Sequence, residues 1–180
     1  MATRFEVQLT QWVKRNNLIR KIIEEKTCRE ETSREDFCYK KNFLLCRECG
    51  ADTADSSYLY NIFSPLALVQ SNQSLFGRHS VPVQLLENPL GIRFRVVTIS
   101  KASCTGVDQW QSDFSWFPGY AWKFCLCTHC GHHLGWLFEP LKSANKDQRT
   151  VSKNGFYAII LDNVLSESYS LMIVPESYKS

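Results

Sequence analysis

Apolar residues occupy every second position in Val81-Pro82-Val83-Gln84-Leu85 and in Ile92-Arg93-Phe94-Arg95-Val96, the period of a strand with one buried face. Short runs rich in β-branched and aromatic residues recur at 58–63, 81–86, 92–99, 122–127, 134–138, 156–161 and 171–174, and each predicts a strand. Turn formers separate them: Ser71-Asn72-Gln73-Ser74, Asn88-Pro89-Leu90-Gly91 and Phe117-Pro118-Gly119. The period differs at the start of the chain. Between positions 7 and 26, Leu9, Trp12, Val13, Ile19, Ile22 and Ile23 recur at helical spacings with charges between them, which predicts an amphipathic helix. The polar, aperiodic stretch 24–36 reads as a connector. The expected organisation is therefore a helix and connector over 1–40 and a mainly β domain of antiparallel strands over 41–176.

Charge narrows the function classes. With 21 Lys and Arg against 18 Asp and Glu in 180 residues, the formal charge is +3, which argues against a strongly basic nucleic-acid binder and an acidic disordered tail. No apolar run nears the roughly 18 residues needed to cross a bilayer. Nine charged residues lie within the first 26, from Arg4 to Lys26, where a secretory signal needs an uncharged apolar segment. As written, the chain is expected in the cytoplasm or nucleus, with secretion as the alternative if an upstream signal exists. In a reducing compartment, paired cysteines read as metal ligands before disulfides.

Two such pairs are present, Cys46-Arg47-Glu48-Cys49-Gly50 and Cys127-Thr128-His129-Cys130-Gly131, each preceded by a leucine. The two-residue gap turns both thiolates of a pair toward one point, and the glycine supplies the positive φ such a turn needs. Two facing turns complete a closed tetrahedral site for one structural zinc held by Cys46, Cys49, Cys127 and Cys130. With no position left open for water, no catalytic role follows. His129, His132 and His133 could replace one thiolate, although surface or supporting roles suit them better. Of the remaining cysteines, Cys28, Cys38 and Cys104 have no assigned work, and Cys125 reads as a small buried hydrophobe.

Aromatic residues cluster in Phe114-Ser115-Trp116-Phe117-Pro118-Gly119-Tyr120-Ala121-Trp122 and in Leu134-Gly135-Trp136-Leu137-Phe138. Trp136 and Phe138 share one strand face, Lys123 points away from Trp122, and Trp116 sits before a Pro-Gly turn where a large ring is less easily buried. Strand alternation alone makes these rings core, and an aromatic cage is the sharper reading.

The order of motifs is specific: a CxxC pair, Ile62-Phe63-Ser64, Asn88-Pro89 with Gly91, Ser115 to Trp122, a second CxxC pair, and Gly135-Trp136 with Phe138. In this frame the chain resembles the CULT domain family, the thalidomide-binding domain of cereblon. The resemblance implies two antiparallel sheets meeting at an angle and pinned by zinc (a β-tent). It also implies a cage of three tryptophans, matched by Trp116, Trp122 and Trp136. Phe138 would form the floor, Asn88 and Pro89 the covering loop, and the backbone from Phe114 through Ser115 to Trp116 the hydrogen bonds to a cyclic imide such as glutarimide. The chain departs from cereblon where Phe114 replaces a histidine, and where the segment between Ser64 and Asn88 is longer. Residues 155–180 match other animal CULT proteins better, some of which are secreted. One glycosylation sequon, Asn72-Gln73-Ser74, is expected in a loop.

A stand-alone binding module with no catalytic residues is thus expected, taking a small molecule or a modified chain end, with no nucleic-acid or membrane partner. A methyl-ammonium cage using Asp113, Glu87 or Glu139 as charge partner is one alternative. The other is the substrate-recognition piece of a ubiquitin ligase, joined to a partner through the N-terminal helix.

Overall fold

The computed structural model describes residues 42–167. The expected helix within 1–40, the strand at 171–174, Cys28 and Cys38 lie outside them. Among the described residues there are ten strands in two antiparallel sheets and no α-helical element. The small sheet has the order β10-β1-β2, formed by β1 (Phe43–Cys46), β2 (Asp52–Asp55) and β10 (Val164–Ser166). The large sheet has the order β3-β4-β5-β9-β8-β7-β6. Its strands are β3 (Val69–Leu75), β4 (Arg78–Glu87), β5 (Arg93–Ile99), β6 (Cys104–Gln111), β7 (Tyr120–Cys127), β8 (His133–Pro140) and β9 (Phe156–Ile160).

Alternation divides the interior in two. Val97, Ile99, Leu137, Tyr157 and Ile159 point to one face of the large sheet and pack with Leu44, Ala54 and Val164 of the small sheet. Val96, Trp136, Phe138, Phe156, Ala158 and Ile160 point to the other face, where Trp116 and Phe117 close over them. β9 is covered on both sides, which explains why all five of its residues are buried and why Phe156-Tyr157-Ala158-Ile159-Ile160 shows no polar position. Behind β7, Lys123 is almost fully buried and its Nζ donates to the carbonyls of Lys146 and Gln148 at 3.1 and 2.8 Å, with the Trp110 ring 4.9 Å away. Burial, followed by the nearby Arg149 guanidinium, lowers its pKa. These contacts fasten the 141–150 loop to the back of the sheet.

Four expectations need correction. Residues 58–63 form no strand: their backbone is held by β5, with the Tyr60 N–H donating to the Thr98 carbonyl at 2.8 Å, Thr98 Oγ1 donating to the Tyr60 carbonyl, and a single bridge joining Leu59 and Ile99. Ser71-Asn72-Gln73-Ser74 is no loop but the middle of β3, an edge strand with solvent on both faces and therefore without alternation. Trp116 is buried at 7% exposure, because its loop folds back over the sheet and Nε1 donates to the Glu87 carbonyl at 2.8 Å. Cys125 is not a free thiol either: it forms a disulfide with Cys104, tying β7 to the edge strand β6.

Candidate functional site

The two CxxCG turns are built alike. In the first, the Gly50 N–H donates to the Cys46 carbonyl and the Cys46 N–H to the Ala51 carbonyl, both at 2.8 Å. In the second, the Gly131 N–H donates to the Cys127 carbonyl at 2.9 Å and the Cys127 N–H to the His132 carbonyl at 2.8 Å. The glycines sit at φ 74° and 75°, the left-handed conformation that other residues adopt at a cost. β1 and β7 carry these turns to one place, where the four Sγ atoms lie within 4.8 Å of one another. Cys46 faces Cys130, and Cys49 faces Cys127, each at 3.7 Å. Zinc–thiolate bonds of about 2.3 Å in a tetrahedron put sulfurs about 3.8 Å apart, so this donor set fits a tetrahedral metal ion.

Without a metal, burial raises the Cys46 thiol to about 11 and also raises Cys49. Cys127 is buried too, but the amides of Cys130 and His129 turn toward its sulfur and bring its pKa down. A cation held by these four sulfurs would replace the thiol protons and relieve this conflict. None of His129, His132 or His133 joins the group. His133 instead stands edge-on to Trp136 at 4.8 Å, and its Nε2 lies 2.8 Å from the Gly135 carbonyl. Burial lowers its pKa, the carbonyl contact partly opposing this.

On the other face of the large sheet, a cavity of about 200 Å³ is lined by Asn88, Pro89, Leu90, Phe114, Trp116, Trp122, Trp136 and Phe138. Seven of the eight residues named from the sequence meet there. The eighth, Ser115, turns its hydroxyl to the Phe117 carbonyl at 3.1 Å, and Leu90 is an addition. Trp116 and Trp136 meet edge to face at 4.7 Å and 77°, a favourable quadrupole arrangement. Trp122 Nε1 donates to the Asp113 carbonyl at 2.9 Å. With the Trp116 bond to Glu87, two of the lining indole N–H groups are thus engaged by backbone carbonyls. Asn88 Oδ1 accepts the N–H groups of Leu90 and Ile92 at 3.0 and 2.9 Å, which shapes the covering turn.

No lining side chain carries a charge. Glu87 is engaged by Arg93 Nε at 2.7 Å, and Glu139 is fully buried with Ser143 Oγ and the Ser152 N–H. Burial alone would raise the Glu139 pKa, but these hydrogen bonds outweigh it and lower the value. Apart from the Asn88 amide and the indole N–H groups, the polar groups of the lining residues belong to the backbone. Among the described residues, neither the Phe114 N–H and carbonyl nor the Trp116 N–H has a hydrogen-bond partner. Phe114 has φ 56° and is 75% exposed, so its peptide groups are turned in a way that strand backbone does not adopt.

Sequence reasoning missed the groups that brace this loop. Gln84, fully buried in β4, accepts the Ser64 N–H on Oε1 at 2.6 Å and donates from Nε2 to the Ile62 carbonyl at 2.8 Å. Ser64 Oγ in turn donates to the Trp116 carbonyl. The Ile62-Phe63-Ser64 motif thereby links β4 to the loop that carries Trp116. Phe94 packs against Trp136 at 4.9 Å and supports it from β5. A polar Gln at an otherwise buried strand position was the signal available for this network.

No family model matches the chain. Among curated proteins, it is 36% identical over 115 residues to protein cereblon of Gallus gallus, covering 63% of this chain and 23% of that protein. It is 36% identical over 100 residues to the Danio rerio protein, covering 55% and 20%. These matches support a cereblon-like CULT domain in this chain. The Drosophila melanogaster cereblon matches at 26% over 144 residues, covering 75% of this chain and 22% of that protein. The chain thus spans about a fifth of the length of these curated relatives. No helix among the described residues is long and apolar enough to cross a membrane.

Proposed function

We propose that this CULT domain is a zinc-stabilised ligand-binding module, without catalytic activity of its own, whose tri-tryptophan cage takes a cyclic imide. The ligand would be either a small molecule of the glutarimide type or a cyclised chain end on a protein. The observation that carries this reading is the uncharged cavity walled by Trp116, Trp122 and Trp136 over Phe138, with unpartnered peptide groups of Phe114 and Trp116 beside it. A neutral flat ring can fill such a space without stranding a buried charge, and an imide presents one N–H and two carbonyls to a carbonyl and two amides. One structural zinc at Cys46, Cys49, Cys127 and Cys130 would join the small sheet to β7 and so hold the strand that carries Trp122. With four thiolates in place the metal has no open position, so its contribution is stability and not chemistry.

Of the three acids a methyl-ammonium cage could use, Glu87 and Glu139 are engaged elsewhere, and Asp113, whose carbonyl accepts Trp122 Nε1, is not among the residues lining the cavity. A ligase role would rest on segments outside the described residues. Tryptophan fluorescence of zinc-loaded protein is the direct assay: glutarimide is expected to give a saturable change that a trimethyl-lysine peptide does not reverse. Displacement by that peptide, or no saturable response to the imide, would reject the proposal.

A further inference from the structure

The Cys104–Cys125 disulfide and the accessible sequon on β3 carry an inference about where this domain matures. The structure points to a secretory-pathway protein N-glycosylated at Asn72, and we propose Asn72 as a modification site. Structural disulfides persist in oxidising compartments and are rare where glutathione keeps thiols reduced. Cys104 and Cys125 are both buried, at 3% and 0% exposure, so the bond is enclosed within the structure and is not a surface thiol pair open to exchange.

The second observation is independent of the first. Asn72-Gln73-Ser74 is the one N-x-S/T tripeptide in the 180 residues, and both Asn72 and Ser74 are exposed. Asn72 lies in the middle of β3, opposite Pro82 of β4, and its side chain makes no hydrogen bond among the described residues. β3 ends the large sheet, so its outer backbone edge has no strand neighbour among the described residues. Exposed edges are commonly protected by charge, proline or a bulge. Val69-Gln70-Ser71-Asn72-Gln73-Ser74-Leu75 contains no charged residue and no proline, and its register shift against β4 lies at its end, between Gln73 and Leu75. A branched glycan in the middle of such a strand would block edge-to-edge pairing, and Asn72 lies opposite Pro82, six positions before the cavity-lining residue Asn88 that follows β4.

The two covalent steps are ordinary for that compartment. Asn72 Nδ2 would form a bond to the anomeric carbon of a lipid-pyrophosphate-linked oligosaccharide; the bond from that carbon to the pyrophosphate breaks, the lipid pyrophosphate leaves and the amide gives up one proton. The Cys104 and Cys125 thiols would give two electrons and two protons to the disulfide of an oxidoreductase, which becomes a dithiol.

The test uses protein expressed from its own locus, so that any sequence the gene places before residue 1 is present. Wild type is expected to show a mobility shift removed by peptide N-glycosidase, with Asn72 converted to Asp in the released peptide, and a Cys104–Cys125 peptide in the non-reduced digest. N72Q and S74A, both at exposed positions, should lose the shift, and S74T should keep it. Because S74A leaves Asn72 in place, loss in that variant separates sequon use from any effect of the asparagine itself. An unmodified Asn72 in the wild-type protein, whatever the state of the cysteines, overturns the proposal, as does a shift that survives N72Q.

Discussion

Replacing Gly135 by Ala offers a sharp test of how the cage is held. Gly135 precedes Trp136 in β8, pairs with Ile159 of β9, and has φ 150°. A Cβ on this residue would stand 2.0 Å from the Ala158 carbonyl oxygen, a full ångström inside the 3.0 Å that real Cβ atoms keep, and 3.0 Å from Ile159 Cα. All these neighbours are backbone of the central strand, so no side chain can swing away. Adopting an unfavourable φ costs about 1–3 kcal/mol, and overpacking a core costs about 1–3 kcal/mol more. The sum, about 2–6 kcal/mol, is a large share of the roughly 5–15 kcal/mol that stabilises a typical domain. At roughly 4 °C per kcal/mol for a domain of this size, the melting temperature should fall by about 8–24 °C. Gly119→Ala is the internal control, because Gly119 also has a positive φ of 86° but a Cβ there meets nothing within 4 Å; it should lose only the strain, about 1 kcal/mol. Thermal unfolding of both variants, zinc-loaded and followed by near-UV circular dichroism, reads the difference. Equal melting temperatures for the two variants would refute the claim that Trp136 is placed by close β8–β9 contact.

Three further outcomes are expected. Zinc should be present at one ion per chain by elemental analysis, and a strong chelator should abolish cooperative unfolding, since a structural zinc–thiolate site contributes about 10–16 kcal/mol; a folded, metal-free domain would contradict the assignment. Phe114→His restores a donor beside the cage and should tighten imide binding by about 1 kcal/mol, roughly fivefold, with unchanged or weaker affinity by calorimetry counting against it. Glu139 has a folded pKa below its ordinary value of 4.5, so its contribution is present above that pH and disappears as pH falls through the lowered value. Wild type should therefore exceed Glu139→Gln in stability by about 1–3 kcal/mol at pH 7, and denaturant curves at successively lower pH should show the gap closing; a constant gap would contradict the shift.

The strands that alternate, or that form a continuous apolar run such as β9, were readable in the sequence, and the parts with neither signal were hidden. β4, β5 and β7 carry stretches in which buried and more exposed positions alternate, so a period of two announces them, whereas β8 and β9, buried on both faces, are announced by apolar runs. β3 has water on both faces and therefore no period, and its Ser and Asn residues imitate a turn. β6 was missed for a different reason: its register with β7 jumps between Val107 and Gln111, where Asp108 has φ 66°, so no run is long enough to signal a strand. The 58–63 segment has strand composition, yet Thr98, Gln84 and Ser64 bind its backbone in an irregular path that only the folded structure supplies.

The metal and aromatic groups divide in the same way. The CxxCG turns are local, so each could be read from five residues, and the structure shows the four sulfurs meeting across 77 intervening positions. The Cys104–Cys125 bond has no local signature, and reasoning from an assumed reducing compartment pointed away from it. Trp116 could be identified as a candidate, but its burial depends on Glu87 and Ser64, which are distant in sequence and meet it only through the fold.

The central claim is that Trp116, Trp122 and Trp136 form one binding cage for a neutral cyclic imide. Calorimetric titration of zinc-loaded wild type, Trp116→Ala and Trp122→Ala with glutarimide tests it most directly, with thermal unfolding run on the same samples to establish that each remains folded. One site per chain is expected in wild type, and folded Trp122→Ala should bind at least tenfold more weakly, a loss of about 1.4 kcal/mol, with Trp116→Ala weaker still. Imide affinity that is absent from wild type, or undiminished in both folded variants, would contradict the account.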